Sequence, residues 1–197
     1  MKFKHIAIEG NIGSGKTSLA KKLAAHFNAK LVLEEFIDNP FLKDFYYNKT
    51  NALALELAFL NDRCNQLADL KKTENKNLII SDYHFGKSLI FAKNNLHEAE
   101  YFLFEKLYKK LTSNYNPPDL IIFLNCETET LLSRIKKRGR EFEESITTNY
   151  LSSISKCYII FLKNDSKNKW LSINSNDLNF VENEKDFGTI LEFIYKS

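Results

Sequence analysis

A glycine-rich segment near the N-terminus constrains the fold of this chain more than any other feature. Residues 10–17 read GNIGSGKT, which matches the pattern G-x-x-x-x-G-K-[ST]. The apolar run His5–Glu9 before it predicts a buried strand, and the amphipathic stretch Lys16–Phe27 after it predicts a helix. A glycine-rich turn between a strand and a helix lets several N–H groups and the positive end of the helix face one anion. The sequence therefore predicts a phosphate-binding loop, the alternative being a tight glycine turn without a ligand.

The loop predicts ATP and Mg²⁺ as cofactors. Lys16 is expected to reach the β- and γ-phosphates, and Thr17 is expected to offer its hydroxyl to the metal. The expected cofactor-binding residues of the loop are Gly10, Asn11, Ile12, Gly13, Ser14, Gly15, Lys16 and Thr17. GTPases, ATPases and small-molecule kinases share such a loop. The chain is short and contains no segment resembling a guanine-reading GTPase motif, which favours a small kinase.

Strands and helices are predicted to alternate along the rest of the chain. The further strands are expected at Lys30–Glu34, Asn77–Ser81, Asp119–Leu124 and Trp170–Ile173. The further helices are expected at Asn51–Lys72, from Asp82 to about Asn114, and at Glu127–Lys137, Ser145–Lys163 and Lys185–Tyr195. This alternation predicts an α/β P-loop kinase fold, with a five-stranded parallel sheet covered by helices on both faces, in one domain over residues 1–197. Ligands in such folds bind at the carboxyl ends of the strands.

Composition excludes several classes of protein. The 28 Lys and Arg residues against 25 Asp and Glu give a net charge of +3, too small to argue for a nucleic-acid partner. The three cysteines have no paired spacing, which favours a reducing compartment. No apolar run approaches the roughly 18 residues that would span a membrane, and the N-terminus lacks the pattern of a signal peptide. We therefore expect a cytoplasmic protein without a membrane partner.

Acidic residues follow two of the predicted strands. Glu34 and Glu35 end the second strand, where a carboxylate can accept the proton of an attacking hydroxyl, or where the pair can simply be solvated. Asp82 follows the third strand, where it can hold Mg²⁺ or cap a helix. The metal role is favoured for Asp82 because the phosphate loop already implies Mg²⁺.

Basic residues cluster at 134–140, which reads RIKKRGR. The cluster can close over a triphosphate as an arginine-rich lid, with Gly139 supplying flexibility, or it can be a solvated helix end. Arg63 lies seven residues after Glu56, so both project from one face of a predicted helix. A planar Arg beside a carboxylate can read a base edge, but spacing alone favours a surface ion pair.

Together these motifs resemble the deoxynucleoside kinase family, and most closely its bacterial members. The resemblance rests on GNIGSGKT, on EEFIDNPFLKDFY at 34–46, on FLNDR at 59–63, on SDYHFGKSLIFA at 81–92, on PDLIIFL at 118–124 and on RIKKRGREFEESI at 134–146. It covers nearly the whole chain. It implies phosphorylation of the 5′-hydroxyl of a deoxynucleoside by ATP in nucleotide salvage, with a purine, and deoxyadenosine in particular, as the expected substrate.

The resemblance also implies roles for single residues. Glu34 matches the family's general base, Asp82 its acid near Mg²⁺, and Glu143 the acid that bonds the sugar 3′-hydroxyl. The implied catalytic residues are Glu34, Lys16, Arg134, Arg138 and Arg140, and Arg138 also contacts the phosphates of ATP. The implied substrate-binding residues are Glu34, Tyr46, Tyr47, Glu56, Arg63, Asp82 and Glu143, with one tyrosine of the 46–47 pair on the 3′-hydroxyl. The implied metal ligands are Thr17 and Asp82.

The chain departs from the family pattern at three positions. Tyr83 stands where the family has an Arg after the metal-binding acid, and Glu35 stands where it has a Pro. Glu56 stands where the family has the Gln that reads the base. An ionised Glu only accepts hydrogen bonds and would favour a base edge rich in donors, whereas Gln66 is an alternative base reader.

Two rival functions and one assembly remain open on the sequence. A thymidylate-type monophosphate kinase shares the fold, but its anionic acceptor needs a basic clamp where this chain has Glu34 and Glu35. A regulatory module that binds nucleotide without acceptor chemistry is the second rival. Apolar helices at 51–72 and 97–112 could support a homodimer, as is common in the family.

Overall fold

The computed structural model describes residues 2–35, 39–72 and 77–197. Five strands form one sheet in the order β2-β3-β1-β4-β5, and every neighbouring pair is parallel. They are β1 His5–Gly10, β2 Lys30–Val32, β3 Ile79–Ser81, β4 Leu120–Asn125 and β5 Trp170–Asn174. The predicted five-stranded parallel sheet is thereby confirmed, although β2 ends two residues before the predicted Glu34.

Eight α-helices accompany the sheet in the described part of the chain. They are α1 Lys16–Phe27, α2 Leu42–Asn48, α3 Ala52–Lys72, α4 Gly86–Asn95, α5 Glu98–Leu111, α6 Thr128–Arg138, α7 Thr148–Asn164 and α8 Glu184–Lys196. The helical pattern expected from Asp82 to about Asn114 is two helices, because Leu96 is extended and the N–H of His97 donates to the Glu100 carboxylate at the start of α5. Helix α2 was not predicted, and residues 36–38 of the 34–46 motif lie outside the described residues.

Helices cover both faces of the sheet, as predicted. Ile122 and Leu124 of β4 pack into a core with α1 and α8, while Phe123 between them packs with α7. This alternation follows from the period of two along a strand, and the burial of both faces accounts for the nearly continuous apolar sequence of β4. Within the described residues, no helix is both long and apolar enough to cross a membrane.

The parallel arrangement brings the chemistry to one edge of the molecule. Strand β1 lies between β3 and β4, and all three run in the same direction. Their carboxyl ends therefore meet at one edge, where β1 enters the glycine-rich loop and β3 leads to Asp82. Ligand sites in open parallel sheets lie at this edge.

Candidate active site

The glycine-rich loop between β1 and α1 has the backbone conformation that its sequence predicts. Gly13 and Gly15 have φ of 83° and 96°, and a Cβ on Gly13 would lie 2.7 Å from the carbonyl oxygen of Leu131. The Asn11 amide holds the loop against α7 by donating to the Leu151 carbonyl and the Ser155 hydroxyl, each at 2.8 Å. The loop can therefore hold the curled shape in which its N–H groups converge on an anion.

Lys16 opens α1 and lies against the loop. Its ammonium donates to the carbonyl of Asn11 at 2.8 Å. Burial, together with the positive charge of Lys87, lowers the pKa of Lys16 to about 8. A phosphate group that approaches this site would oppose both effects and favour the charged lysine.

Asp82 connects the loop to the end of β2. Its two carboxylate oxygens accept from the Thr17 hydroxyl at 2.6 Å and from the N–H of Glu34 at 2.7 Å. Thr17 and Asp82 thus present two hard oxygens at one point beside the phosphate loop. Mg²⁺ commonly takes one or two protein oxygens and completes its shell with phosphates and water, so this pair fits it.

Glu34 is held between two cations. Its carboxylate pairs with the guanidinium of Arg63 and the ammonium of Lys87, and both cations are buried. Burial by itself would raise the pKa of Glu34, but Lys87 and Arg63 lower it to about 2. The carboxylate is therefore ionised and oriented throughout the neutral range.

Lys87 is a site residue that the sequence reasoning missed. It lies in the first turn of α4, five residues after Asp82, and its ammonium contacts Glu34. Because Tyr83 stands where the family has an Arg, positive charge beside Glu34 has to come from other residues. The structure places both Arg63 and Lys87 there. The available signal was a lysine at the start of a helix that follows the carboxyl end of a strand.

A cleft opens beside Glu34. Apolar and aromatic walls enclose a few convergent polar groups, as small-molecule sites require. The lining includes Ile12, Lys16, Thr17, Glu34, Phe45, Tyr46, Glu56, Phe59, Arg63, Asp82, Lys87, Phe91, Asn95, Arg138, Arg140, Phe142, Glu143 and Tyr150. Most of the residues expected to bind substrate therefore lie around one cavity.

Glu56 lies in the wall of this cleft and is 2% exposed. One of its oxygens accepts from the Asn95 amide at 2.7 Å, and Asn95 in turn accepts from the Tyr150 hydroxyl at 3.2 Å. Burial raises the pKa of Glu56 to about 7. The surface ion pair favoured for Arg63 and Glu56 was wrong, because both side chains are buried and Arg63 instead pairs with Glu34 and donates to Ser88.

The two tyrosines of the 46–47 pair have different surroundings. Tyr46 is 8% exposed, lines the cleft and stacks on Phe142. Tyr47 is 49% exposed, and its hydroxyl donates to the carbonyl of Glu141. The geometry thus brings Tyr46, and not Tyr47, into the candidate site. Gln66 does not line the cleft either, since its amide bonds the Leu33 carbonyl and the Tyr83 hydroxyl.

The basic segment is mostly helical. Helix α6 extends through Arg138, and Gly139 ends it with φ of 65°. Glu143 is buried in the following 3₁₀ turn and accepts from Arg138 at 2.6 Å and from Arg140 at 3.3 Å. Arg134 lies about one helical turn before Arg138. Its guanidinium donates to the Ser175 carbonyl at 2.7 Å.

A second cleft lies on the other side of the phosphate loop. Its lining includes Gly13, Gly15, Ser18, Arg134, Lys137, Arg138 and residues 176–182. The ring of Phe180 would be 2.9 Å from a Cβ at Gly15, so this loop packs closely on the glycine turn. The sequence reasoning missed residues 176–182, which follow β5 at the carboxyl edge of the sheet.

The two clefts flank the phosphate loop and share Gly13 and Arg138. One cleft can take a nucleotide donor and the other an acceptor, which is the arrangement of a nucleotide-dependent phosphotransferase. The family model for deoxynucleoside kinases matches residues 6–197. The chain belongs to the deoxynucleoside kinase family, as the sequence motifs had predicted, and it is an enzyme that phosphorylates deoxynucleosides.

Individual relatives agree with this assignment. The chain is 38% identical over 195 residues to a deoxyguanosine kinase of Bacillus subtilis, covering 94% of this chain and 93% of the relative. It is 32% identical to a deoxyadenosine kinase of Lactobacillus acidophilus, covering 90% and 88%. A solved structure of deoxyadenosine kinase from M. mycoides with bound dCTP superposes with a TM-score of 0.84 at 25% identity, covering 98% of this chain and 100% of that one.

Proposed function

We propose that the enzyme, as one catalytic unit over residues 1–197, transfers the γ-phosphoryl group of ATP to the 5′-hydroxyl of a purine deoxynucleoside, in nucleotide salvage. The observation that carries the proposal is the position of Glu34. Its carboxylate faces the acceptor cleft, while its own N–H bonds Asp82, which accepts from Thr17 of the phosphate loop. A proton acceptor for the hydroxyl and the predicted metal ligands are thus joined by two hydrogen bonds.

Phosphoryl transfer depends mainly on positioning and charge, and the residues divide accordingly. In this proposal the backbone of residues 10–15 and Lys16 hold the β- and γ-phosphates. Thr17 and Asp82 hold Mg²⁺, which would neutralise phosphate charge when bound. Arg138 lines both clefts and Arg140 lines the acceptor cleft, where cations stabilise the transferring group. Arg134 supports the phosphate loop from the donor side.

On the acceptor side, Glu34 takes the proton of the 5′-hydroxyl, and Arg63 and Lys87 hold its carboxylate in place. Glu143 and Tyr46 line the same cleft, and Tyr46 stacks on Phe142, the neighbour of Glu143, so the two suit the sugar 3′-hydroxyl. Arg138 and Arg140 both contact Glu143, so sugar binding and closure over the phosphates can be coupled.

The charges of the cleft favour a neutral acceptor over a nucleoside monophosphate. The acceptor-side cations Arg63 and Lys87 are paired with Glu34, and Arg138 is paired with Glu143. A monophosphate acceptor would bring its own dianion next to Glu34, and like charges at this distance repel. A thymidylate-type reaction would require a cation in direct contact with that dianion, whereas Arg63 and Lys87 both contact Glu34.

The relatives bear on the base. One of those described above is a deoxyguanosine kinase and two are deoxyadenosine kinases, which supports a purine. The deciding experiment measures phosphorylation of each of the four natural deoxynucleosides with ATP and Mg²⁺. The deoxynucleoside monophosphates are assayed in parallel. We expect phosphorylation of purine deoxynucleosides. Activity on monophosphates alone would reject the proposal, and with it Glu34 as the base.

We also propose that the enzyme is a homodimer in the cytoplasm. Helices α5 and α7 both pack on α4 and expose large apolar side chains, including Leu103 at 63% and Ile160 at 60%. An isologous interface between two copies would cover such residues. Light scattering after size-exclusion chromatography should give a mass of twice the 23.0 kDa of one chain. The Leu103→Glu variant should give a measured mass closer to that of one chain. A wild-type monomer at micromolar concentration would reject the dimer. The three free cysteines suit a reducing compartment.

A further inference from the structure

The acceptor cleft contains a buried carboxylate that the transfer chemistry does not use. Glu56 lies on α3, in the cleft lining, two helical turns before Arg63. Asn95 occupies one lone pair of its carboxylate, which offers about four acceptor positions and has no donor while it is ionised. Burying such a group is costly unless hydrogen-bond donors satisfy it. The remaining acceptor positions of Glu56 therefore favour a ligand that donates hydrogen bonds.

Among the natural bases, guanine matches this requirement. Its Watson–Crick edge carries two adjacent donors, N1–H and the 2-amino group, which can meet both oxygens of one carboxylate. Adenine offers one donor and, beside it, the N1 lone pair, which an ionised carboxylate repels. Charge-assisted bidentate pairs are strong, and a misplaced acceptor adds discrimination against the wrong base.

Arg63 supplies a second, independent observation. It is 4% exposed and lines the same cleft, and its Nε–H is a buried donor for which the described residues provide no acceptor. A guanine whose N1–H and 2-amino group face Glu56 still needs a donor for its O6 atom. The residues that line the cleft therefore combine two acceptor oxygens with one unsatisfied donor, a set that complements the guanine edge.

We propose that Glu56 makes guanine the preferred base of this enzyme, by accepting from N1–H and from the 2-amino group. This inference rests on the proposed function, since it concerns the acceptor of the same reaction. It replaces the expectation of deoxyadenosine, and it follows from a carboxylate at the position where the family has an amide.

The ionisation of Glu56 adds a pH dependence. The titratable or charged groups that face it are Glu34, Tyr46, Arg63, Lys87 and Tyr150. Burial raises the pKa of Glu56 to about 7, so the carboxylate is ionised mainly above neutral pH. A protonated Glu56 can donate to N1 of adenine and accept from its 6-amino group, much as a glutamine does. The preference for guanine over adenine should therefore increase as the pH rises through about 7.

The experiment measures kcat/KM for deoxyguanosine, deoxyadenosine and deoxyinosine with ATP and Mg²⁺, at pH values from 6 to 9. Deoxyinosine is the matched probe because it lacks only the 2-amino group of deoxyguanosine. Wild-type enzyme should prefer deoxyguanosine over both by about tenfold or more at high pH, on the usual scale of bidentate base recognition. Glu56→Gln should reduce both ratios about tenfold and remove their dependence on pH.

Glu35→Gln is the control, because it removes one exposed negative charge next to Glu34 without touching the base wall. Its ratios should equal those of wild type. A wild-type preference for deoxyadenosine, or equal rates for deoxyguanosine and deoxyinosine, would overturn the assignment even if Glu56→Gln fails to fold. If no deoxynucleoside is phosphorylated, the proposed function fails. In that case, calorimetric affinities for the same three compounds test the role of Glu56 separately. Equal affinities for deoxyguanosine, deoxyadenosine and deoxyinosine would overturn the guanine preference.

Discussion

Replacing Glu34 by Gln tests the centre of the site, because it removes one charge and leaves the shape almost unchanged. The Glu34 carboxylate is the shared partner of Arg63 and Lys87, and the exposed fractions of those two side chains are 4% and 9%. An amide in its place accepts hydrogen bonds but leaves both buried cations uncompensated. Two effects follow, one on the stability of the fold and one on the chemistry.

The structural effect has a definite size. Removing one partner of a buried ion pair commonly costs about 3–5 kcal/mol. A domain of this size has a total stability of about 5–15 kcal/mol, so the variant should fold with a clearly lower urea midpoint. Turnover should fall by about 10²-fold or more, because the proton acceptor of the 5′-hydroxyl is lost.

A second variant separates the two effects. Glu34→Gln combined with Lys87→Met removes one of the uncompensated cations, so the double variant should regain part of the lost stability. It should not regain turnover, since no carboxylate faces the hydroxyl. The measurements are urea unfolding, followed by fluorescence of Trp170, and single-turnover phosphorylation of the preferred deoxynucleoside. The Lys87→Met single variant completes the cycle. Near-normal turnover in Glu34→Gln, or turnover that returns with stability in the double variant, would refute Glu34 as the base.

Four further substitutions, one of them a control, test other parts of the structure. Lys16→Ala should abolish turnover with an unchanged circular dichroism spectrum, and retained activity would contradict the phosphate-loop assignment. Gly13→Ala should cost about 1–3 kcal/mol in unfolding experiments and weaken ATP binding, because φ is 83° and the new Cβ would meet the Leu131 carbonyl. Gly188→Ala, which meets nothing within 4 Å, should show neither effect. Burial lowers the pKa of His84 from 6.5 to about 4. Between these two pH values His84 is protonated in the unfolded chain and neutral in the folded chain. The free energy of unfolding therefore falls as the pH drops below 6.5. His84→Asn should reduce the stability lost between pH 6.5 and 5 by about 2 kcal/mol in urea titrations, and an unchanged loss would contradict this account.

The sequence predicted those parts of the protein that depend on local pattern. The strands β1 and β4 are short apolar runs bounded by turns, and the glycine-rich loop is recognisable from eight residues. Helix α2 lacked such a signal, because its seven residues span only two turns and its burial depends on contacts with distant segments. The break between α4 and α5 likewise depends on the local conformation at Leu96 and not on periodicity.

Side-chain partners were harder to predict than elements. Arg63 and Glu56 are seven residues apart and lie on one helix, yet Arg63 pairs with Glu34, which is 29 residues away in sequence. Lys87 reaches the same carboxylate across 53 residues. Helical spacing specifies which side chains share a face, but the sheet order decides which faces meet, and the order β2-β3-β1 brings the ends of β2 and β3 together. Pair distances of this kind follow from topology and not from motif spacing.

A buried carboxylate also connects the phosphate loop to the acceptor side. Glu9 of β1 is completely buried, and it accepts from the N–H of His84 at 2.6 Å and from the Tyr158 hydroxyl at 2.8 Å. It thereby joins the strand that ends in the phosphate loop to the segment that begins α4, three residues before Lys87. Because an unpaired buried polar group is costly, these bonds resist separation of the two segments. The core beneath the site therefore fixes the distance between the proposed phosphate-binding backbone and the cation beside Glu34, which is the preorganisation that phosphoryl transfer requires.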